Sequence, residues 1–214
     1  MSAHCCAPAE PAVDPRFRQA LWIALIINAA MFLIEISASF GAGSVSLLAD
    51  SIDFFGDAAN YAVSLVVLGM AATVPSRTSI LKAACMGAFG VFVLARAAWA
   101  VSTGVVPEPA LMGAIGALAL AANVGVALLL YRHRTGDSNA RSAWICSRND
   151  AFGNVAVILA ALGVYGTGSA WPDLGVAALM AVLAISGAAT VLRQAQGELR
   201  EARAHQRGTG LRDS

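Results

Sequence analysis

Residues 47–61 read Leu47-Leu48-Ala49-Asp50-Ser51-Ile52-Asp53-Phe54-Phe55-Gly56-Asp57-Ala58-Ala59-Asn60-Tyr61. Apolar residues fill most of this stretch and continue to about residue 73, which as a helix is long enough to cross roughly 30 Å of hydrocarbon. Three aspartates nonetheless stand inside it. Positions three and four apart share a helix face, so Asp50, Asp53 and Asp57 make one acidic stripe that Asn60 continues. Ionised side chains are costly in mid-bilayer and are kept there when they face a protein interior or a water-filled path. The stretch therefore reads both as a membrane span and as the lining of a polar site.

The rest of the chain fits the same solvent. Of its 214 residues, 58% are hydrophobic and 13% charged, about half the charge of an ordinary soluble domain. Apolar runs predict helices near 20–40, 47–73, 80–103, 110–131, 141–166 and 172–193. Turn-forming residues separate them: Gly41-Ala42-Gly43, Val74-Pro75-Ser76, Val106-Pro107-Glu108-Pro109, Arg132 to Gly136, and Gly166 to Pro172. The connections are short, so successive helices should run antiparallel. Arg16, Arg18, Arg77, Lys82, Arg132, Arg134, Arg141, Arg193, Arg200, Arg203, Arg207 and Arg212 all flank one side, the cytoplasmic one by the positive-inside rule. The remaining two, Arg96 and Arg148, sit well inside predicted helices. The expected architecture is an all-α integral membrane protein of six transmembrane helices with both termini cytoplasmic. It divides into a flexible cytoplasmic arm (1–19), a transmembrane domain (20–193) and a short cytoplasmic tail (194–214), helical where it leaves the membrane.

Net charge is +1, and the basic residues lie in short connections and the tail, not on a groove-sized surface. Nucleic acid is excluded as an expected partner. The four cysteines, Cys5, Cys6, Cys85 and Cys146, lack the spacing of a disulfide framework. Cys85 stands among small residues and reads as a packing residue. Gly87, Gly90, Gly113, Gly116, Gly153 and Gly163 read as points of close helix approach.

Five acids within the predicted spans are candidates: Glu35, Asp50, Asp53, Asp57 and Asp150. Arg96 and Arg148 are too few to neutralise them as buried ion pairs. In the fifth helix, Trp144-Ile145-Cys146-Ser147-Arg148-Asn149-Asp150 places Cys146 and Asp150 four apart, the spacing of Asp53 and Asp57. Two helices can thus each turn two ligands toward one centre. Three carboxylates and a thiol suit zinc and its heavier relatives; Cys146 taken alone reads more readily as a small buried residue, and its spacing from Asp150 brings the ligand reading level with that one. His4-Cys5-Cys6 in the arm is a second candidate, a soft-metal ligand set at the cytoplasmic entrance.

Leu47 to Asp57 resembles the second-helix signature of the cation diffusion facilitator family, and Asp150-Ala151-Phe152-Gly153-Asn154 resembles its fifth-helix counterpart. The helix bearing Asn28 and Glu35 and the turn from Gly41 to Ser46 match the family's usual order. The resemblance covers about residues 20–193. In that family the transport site takes a His or Asp, and an Asp four residues later, from helix two, with a similar pair from helix five. By position the resemblance implies Asp53, Asp57, Cys146 and Asp150 as metal ligands. Asp50, Asn60, Glu35 and Asn154 are left as candidate coupling or gating residues. Cys146 departs from the family's usual His or Asp, which bears on metal preference. A second departure is the C-terminal cytoplasmic domain of most members, which this sequence lacks.

The expected function is a secondary transporter, not an enzyme. It exports a divalent transition-metal cation, zinc or cadmium, in exchange for protons, with no cofactor and with the metal as substrate. No phosphate-cradling glycine loop points to nucleotide drive. Its partners are the lipid bilayer, in a bacterial cytoplasmic membrane, and as a further candidate a second copy of the chain. Two rivals use the same residues differently. An intramembrane aspartyl hydrolase would pair Asp57 with Asp150 over a shared proton, leaving Asp50, Asp53 and Cys146 unused. A membrane metal sensor would rely on the His4 to Cys6 arm.

Overall fold

The computed structural model describes residues 15–67, 76–132 and 138–210, and on its fifth helix the side chains of Ile145 and Cys146 fall outside that description. Six helices follow one another: α1 (Pro15–Ala42), α2 (Val45–Val67), α3 (Ser76–Thr103), α4 (Pro109–Tyr131), α5 (Ser138–Thr167) and α6 (Trp171–Gly210). Five are long and apolar enough to cross a membrane. The departure is α2, whose 23 residues include the three aspartates. The protein is an all-α membrane protein of the expected topology.

Helix ends follow local chemistry. α1 is already helical at Pro15, the first described residue, five residues before the expected start at 20. The span of α6 is Trp171–Thr190, but the helix runs on for 40 residues in all, about 60 Å at the α-helical rise. Its charged end therefore projects beyond the bilayer on the basic side. At the opposite face, α1, α3 and α5 each close with a left-handed glycine, Gly43, Gly104 and Gly168. At Gly43 the Ser44 N–H donates back to the Ser39 carbonyl at 3.0 Å, a 6→1 bond that ends α1 and lets α2 start two residues later.

In the membrane the pattern of burial is inverted relative to a soluble bundle. Large apolar side chains such as Ile26, Leu33, Val66, Leu128, Phe152 and Leu159 face outward, where lipid replaces water. The buried set includes Asn28, Glu35, Asp50, Asp57, Asn123, Asn154 and Asp173. Exposed Trp22 and Tyr131 lie toward the basic side, and Trp99, Tyr165 and Trp171 toward the other, as interfacial belts require.

α1, α2, α4 and α5 form a four-helix bundle, α1 packing on α2 and α4, and α5 on α4 and α2. α3 pairs with α6 and leans on α2, while α6 also touches α5. Two of the predicted close approaches are at their limit. A Cβ on Gly90 would sit 2.7 Å from Ile185 Cγ1 and 3.1 Å from the Ala181 carbonyl, so glycine sets the spacing of α3 and α6. On α4, a Cβ on Gly116 would come within 3.3 Å of Ile158 and Val157 of α5.

Two expectations about side-chain direction are corrected. Cys85 is exposed on the outer surface of α3 and not packed inside. Arg148 is also exposed, its guanidinium over the Trp144 ring at 5.1 Å from the centroid, so it is not a buried counter-ion. Arg96 is half-buried and lies over Phe40 at 5.9 Å.

Candidate metal centre

The centre is built on α2 and α5. Helical phase turns Asp50 and Asp57 of α2 inward, 1% and 6% exposed, with Asp53 between them half-buried. Ile52 and Ala49 point the other way, into the apolar contact with Val93, Leu174 and Ala177 of α3 and α6. The stripe read from the sequence is therefore real. On α5, Asp150 lies within hydrogen-bond reach of Asp57 and within electrostatic range of Asp53 and Asp50. The structure thus brings Asp57 and Asp150 together carboxyl to carboxyl, with Asp53 beside them. Among the described residues, no three acids, cysteines or histidines converge closely enough to hold one ion. Cys146 stands one helical turn before Asp150, its side chain outside the described set. His4, Cys5 and Cys6 lie outside the described residues.

Toward the cytoplasm the pair meets two hydroxyls that the sequence reading did not single out. The Tyr61 hydroxyl donates to Asp57 Oδ2 at 3.2 Å and lies 2.7 Å from the Ser147 hydroxyl of α5. Tyr61 is 1% exposed and Ser147 fully buried. Phe17, Leu21, Val126 and Leu130 wall this end of the bundle with Tyr61. The clasp joins α2 to α5 directly beneath the acids. Spacing was the available signal: Tyr61 follows Asp57 by four residues and Ser147 precedes Asp150 by three, so both share the acids' helix faces.

Away from the cytoplasm a chain of amides takes over. Asn154 of α5 donates to Asp50 Oδ2 at 2.6 Å and accepts from Asn123 Nδ2 of α4 at 2.9 Å. Glu35 of α1 is fully buried within hydrogen-bond reach of the Asp50 carboxyl, and no N–H or hydroxyl donor meets either of its oxygens. Asn60, half-buried, continues the stripe on the cytoplasmic side as expected.

A sixth buried acid was missed. Asp173, in the first turn of α6, is fully buried. Its Oδ1 accepts from the Ser44 hydroxyl at 2.7 Å and the Ser46 N–H at 3.0 Å, and its Oδ2 from the Val45 N–H at 2.8 Å. The Ser44 hydroxyl oxygen in turn accepts from the Leu47 N–H at 3.1 Å. Free N–H groups at a helix start need acceptors. Here a residue of another helix supplies them, fastening α6 to the first turn of the helix that carries the acids.

Six helices enclosing carboxyls of two facing helices define a membrane protein with acidic residues buried in its bundle. The chain matches the family model of the cation efflux transmembrane domain over residues 21–199, and it belongs to that family of cation transporters. None of the curated proteins compared with it matches.

Proposed function

We propose that the chain exports a divalent transition-metal cation, zinc or cadmium, in exchange for protons, with Asp53, Asp57, Cys146 and Asp150 as the ligands. The observation supporting this reading is the approach of Asp57 on α2 to Asp150 on α5, with further acids as the groups acting on them. Acids facing one another in low dielectric need positive charge between them. A divalent cation and protons both supply it, and they compete for the same oxygens because a metal ligand must be deprotonated. Loading one ion therefore releases the other, and alternate exposure of the site converts a proton gradient into metal efflux. Carboxylates with a thiolate suit zinc and cadmium better than manganese or magnesium.

Tyr61 and Ser147 orient Asp57 from beneath. Asp50, Glu35, Asn60 and Asn154 line the route on either side and serve coupling or gating. His4, Cys5 and Cys6 gather metal at the cytoplasmic mouth. The setting is a bacterial cytoplasmic membrane. The hydrolase alternative uses the same Asp57–Asp150 pair, but membership of a cation transporter family argues against it.

The test is uptake of Zn²⁺ and Cd²⁺ into inverted vesicles with and without an acidic interior. Accumulation driven by the pH gradient, with matching proton release from the lumen, is expected. Uptake indifferent to the gradient would remove proton exchange, and no uptake of either ion would remove the metal assignment.

A further inference from the structure

We propose that Glu35 of α1 and Asp50 of α2 form a second cation-binding station, made of oxygen ligands alone, on the extracytoplasmic side of the Asp57–Asp150 pair. The inference rests on the transport reading above. Glu35 stands seven residues before the end of α1 and Asp50 five residues after the start of α2, which brings them to one depth on adjacent antiparallel helices. Glu35 is 0% and Asp50 1% exposed. The ionisable groups acting on Glu35 are Asp50 and then Asp53, both acids. Asp50 is held in place by Asn154, itself held by Asn123.

A second observation comes from the unmet polar atoms. Among the described residues of α1, α2, α4 and α5, the buried side-chain atoms without a hydrogen-bond partner are both oxygens of Glu35 and the amide oxygens of Asn28 and Asn123. All are acceptors. What a buried oxygen lacks is a donor or a cation; a shared proton would close the two carboxyls but leave the amide oxygens unmet, whereas a cation can take both kinds of oxygen. Carboxyl and amide oxygens without sulfur or imidazole select hard ions, Mn²⁺, Ca²⁺ and Mg²⁺ above Cd²⁺. Asp50 lies three residues outward of Asp53 along α2, so an ion leaving the central pair meets this station next. A weaker neighbouring site lets an ion leave a tight one, because conduction requires that binding be divided among stations.

The test measures equilibrium binding to the full chain in lipid nanodiscs, with Cd²⁺ counted by isotope and Mn²⁺ by electron paramagnetic resonance. With Cd²⁺ saturating the central site, one further equivalent of Mn²⁺ per chain should bind. Glu35→Gln and Asp50→Asn should each weaken that Mn²⁺ at least about tenfold and leave the Cd²⁺ equivalent intact, which also reports correct folding. Asp57→Asn should do the reverse. Normal Cd²⁺ binding with no Mn²⁺ equivalent at any pH would overturn the station and leave the pair closed by a proton. Mn²⁺ binding insensitive to both substitutions would overturn it as well. Cd²⁺ binding indifferent to Asp57→Asn would instead sink the central site, a separate failure.

Discussion

Asp173 and Asp57 are both buried aspartates at helix–helix contacts, 0% and 6% exposed, yet their company differs. Asp173 receives two backbone N–H groups and a hydroxyl from the first turn of α2, so its own chain satisfies it. Asp57 receives a tyrosine hydroxyl and lies against the carboxyl of Asp150. Residue type and burial do not separate a fastener from a site. The company does: a carboxyl surrounded by N–H groups of its own chain is satisfied as a fastener, whereas one set against another carboxyl shares a proton or a cation with it.

The largest effect expected from this contrast is on transport. Asp57→Asn and Asp150→Asn should each reduce metal uptake in vesicles by on the order of 100-fold or more, since each removes a charged ligand from a small site. Thermal unfolding should change by only a few degrees, because the asparagine carbonyl at 57 can still accept from the Tyr61 hydroxyl. Uptake near the parent rate in both variants would break the assignment.

Asp173→Ala should behave in the opposite way. It leaves the N–H groups of Val45 and Ser46 buried without an acceptor, a loss of about 2–4 kcal/mol from the cap and its unmet donors. Thermal unfolding in detergent should show it directly. Folded protein carrying the substitution should retain the metal affinity of the central pair. A variant as stable as the parent with weakened metal binding would mean that Asp173 belongs to the site.

The difference also explains what was legible. The acidic stripe of α2 stood out because charge is rare in an apolar run, and the six helices and their direction followed from apolar length and arginine placement. Asp173 did not, because it stands alone at the very start of the sixth predicted helix, beside the turn from Gly166 to Pro172, with no second acid on its face. Its function depends on the start of α2, 128 residues earlier in sequence. Facing was the weakest inference. In lipid both the core and the outer surface are apolar, so the sequence around Cys85 and Arg148 contained no amphipathic signal to say which way they point. Hydroxyls such as Tyr61 and Ser147 are ordinary residues in a membrane helix, and only their contact across α2 and α5 marks them.

That clasp gives an intermediate prediction. Tyr61→Phe keeps the ring and removes the hydroxyl that orients Asp57, and loss of such a supporting contact costs about 10-fold in metal affinity. The apparent KM for metal should rise by that amount with the maximal rate less affected. Ser147→Ala should act in the same direction, and the double variant should lose little more than Tyr61→Phe, because the two hydroxyls act as one unit. Additive losses would show that they serve separate roles.

The smallest effect expected is a change in preference, not in rate, and it concerns Cys146. This residue stands one turn before Asp150 on α5, on the cytoplasmic side of the pair, at the position where the family resemblance puts a His or Asp. Thiolate is a soft donor that favours cadmium and zinc, whereas carboxylate and water favour manganese and its harder neighbours. Cys146→Asp should therefore lower the cadmium-to-manganese uptake ratio by about tenfold, and Cys146→His should retain zinc. If Cys146 is a small packing residue, Ser in its place will be silent and Asp will mainly reduce the yield of folded protein. Competition between Cd²⁺ and Mn²⁺ on the Asp, His and Ser variants separates the two outcomes. An unchanged ratio in well-folded Asp and Ser variants would take Cys146 out of the ligand set and leave the carboxylates of Asp53, Asp57 and Asp150 to set the preference alone.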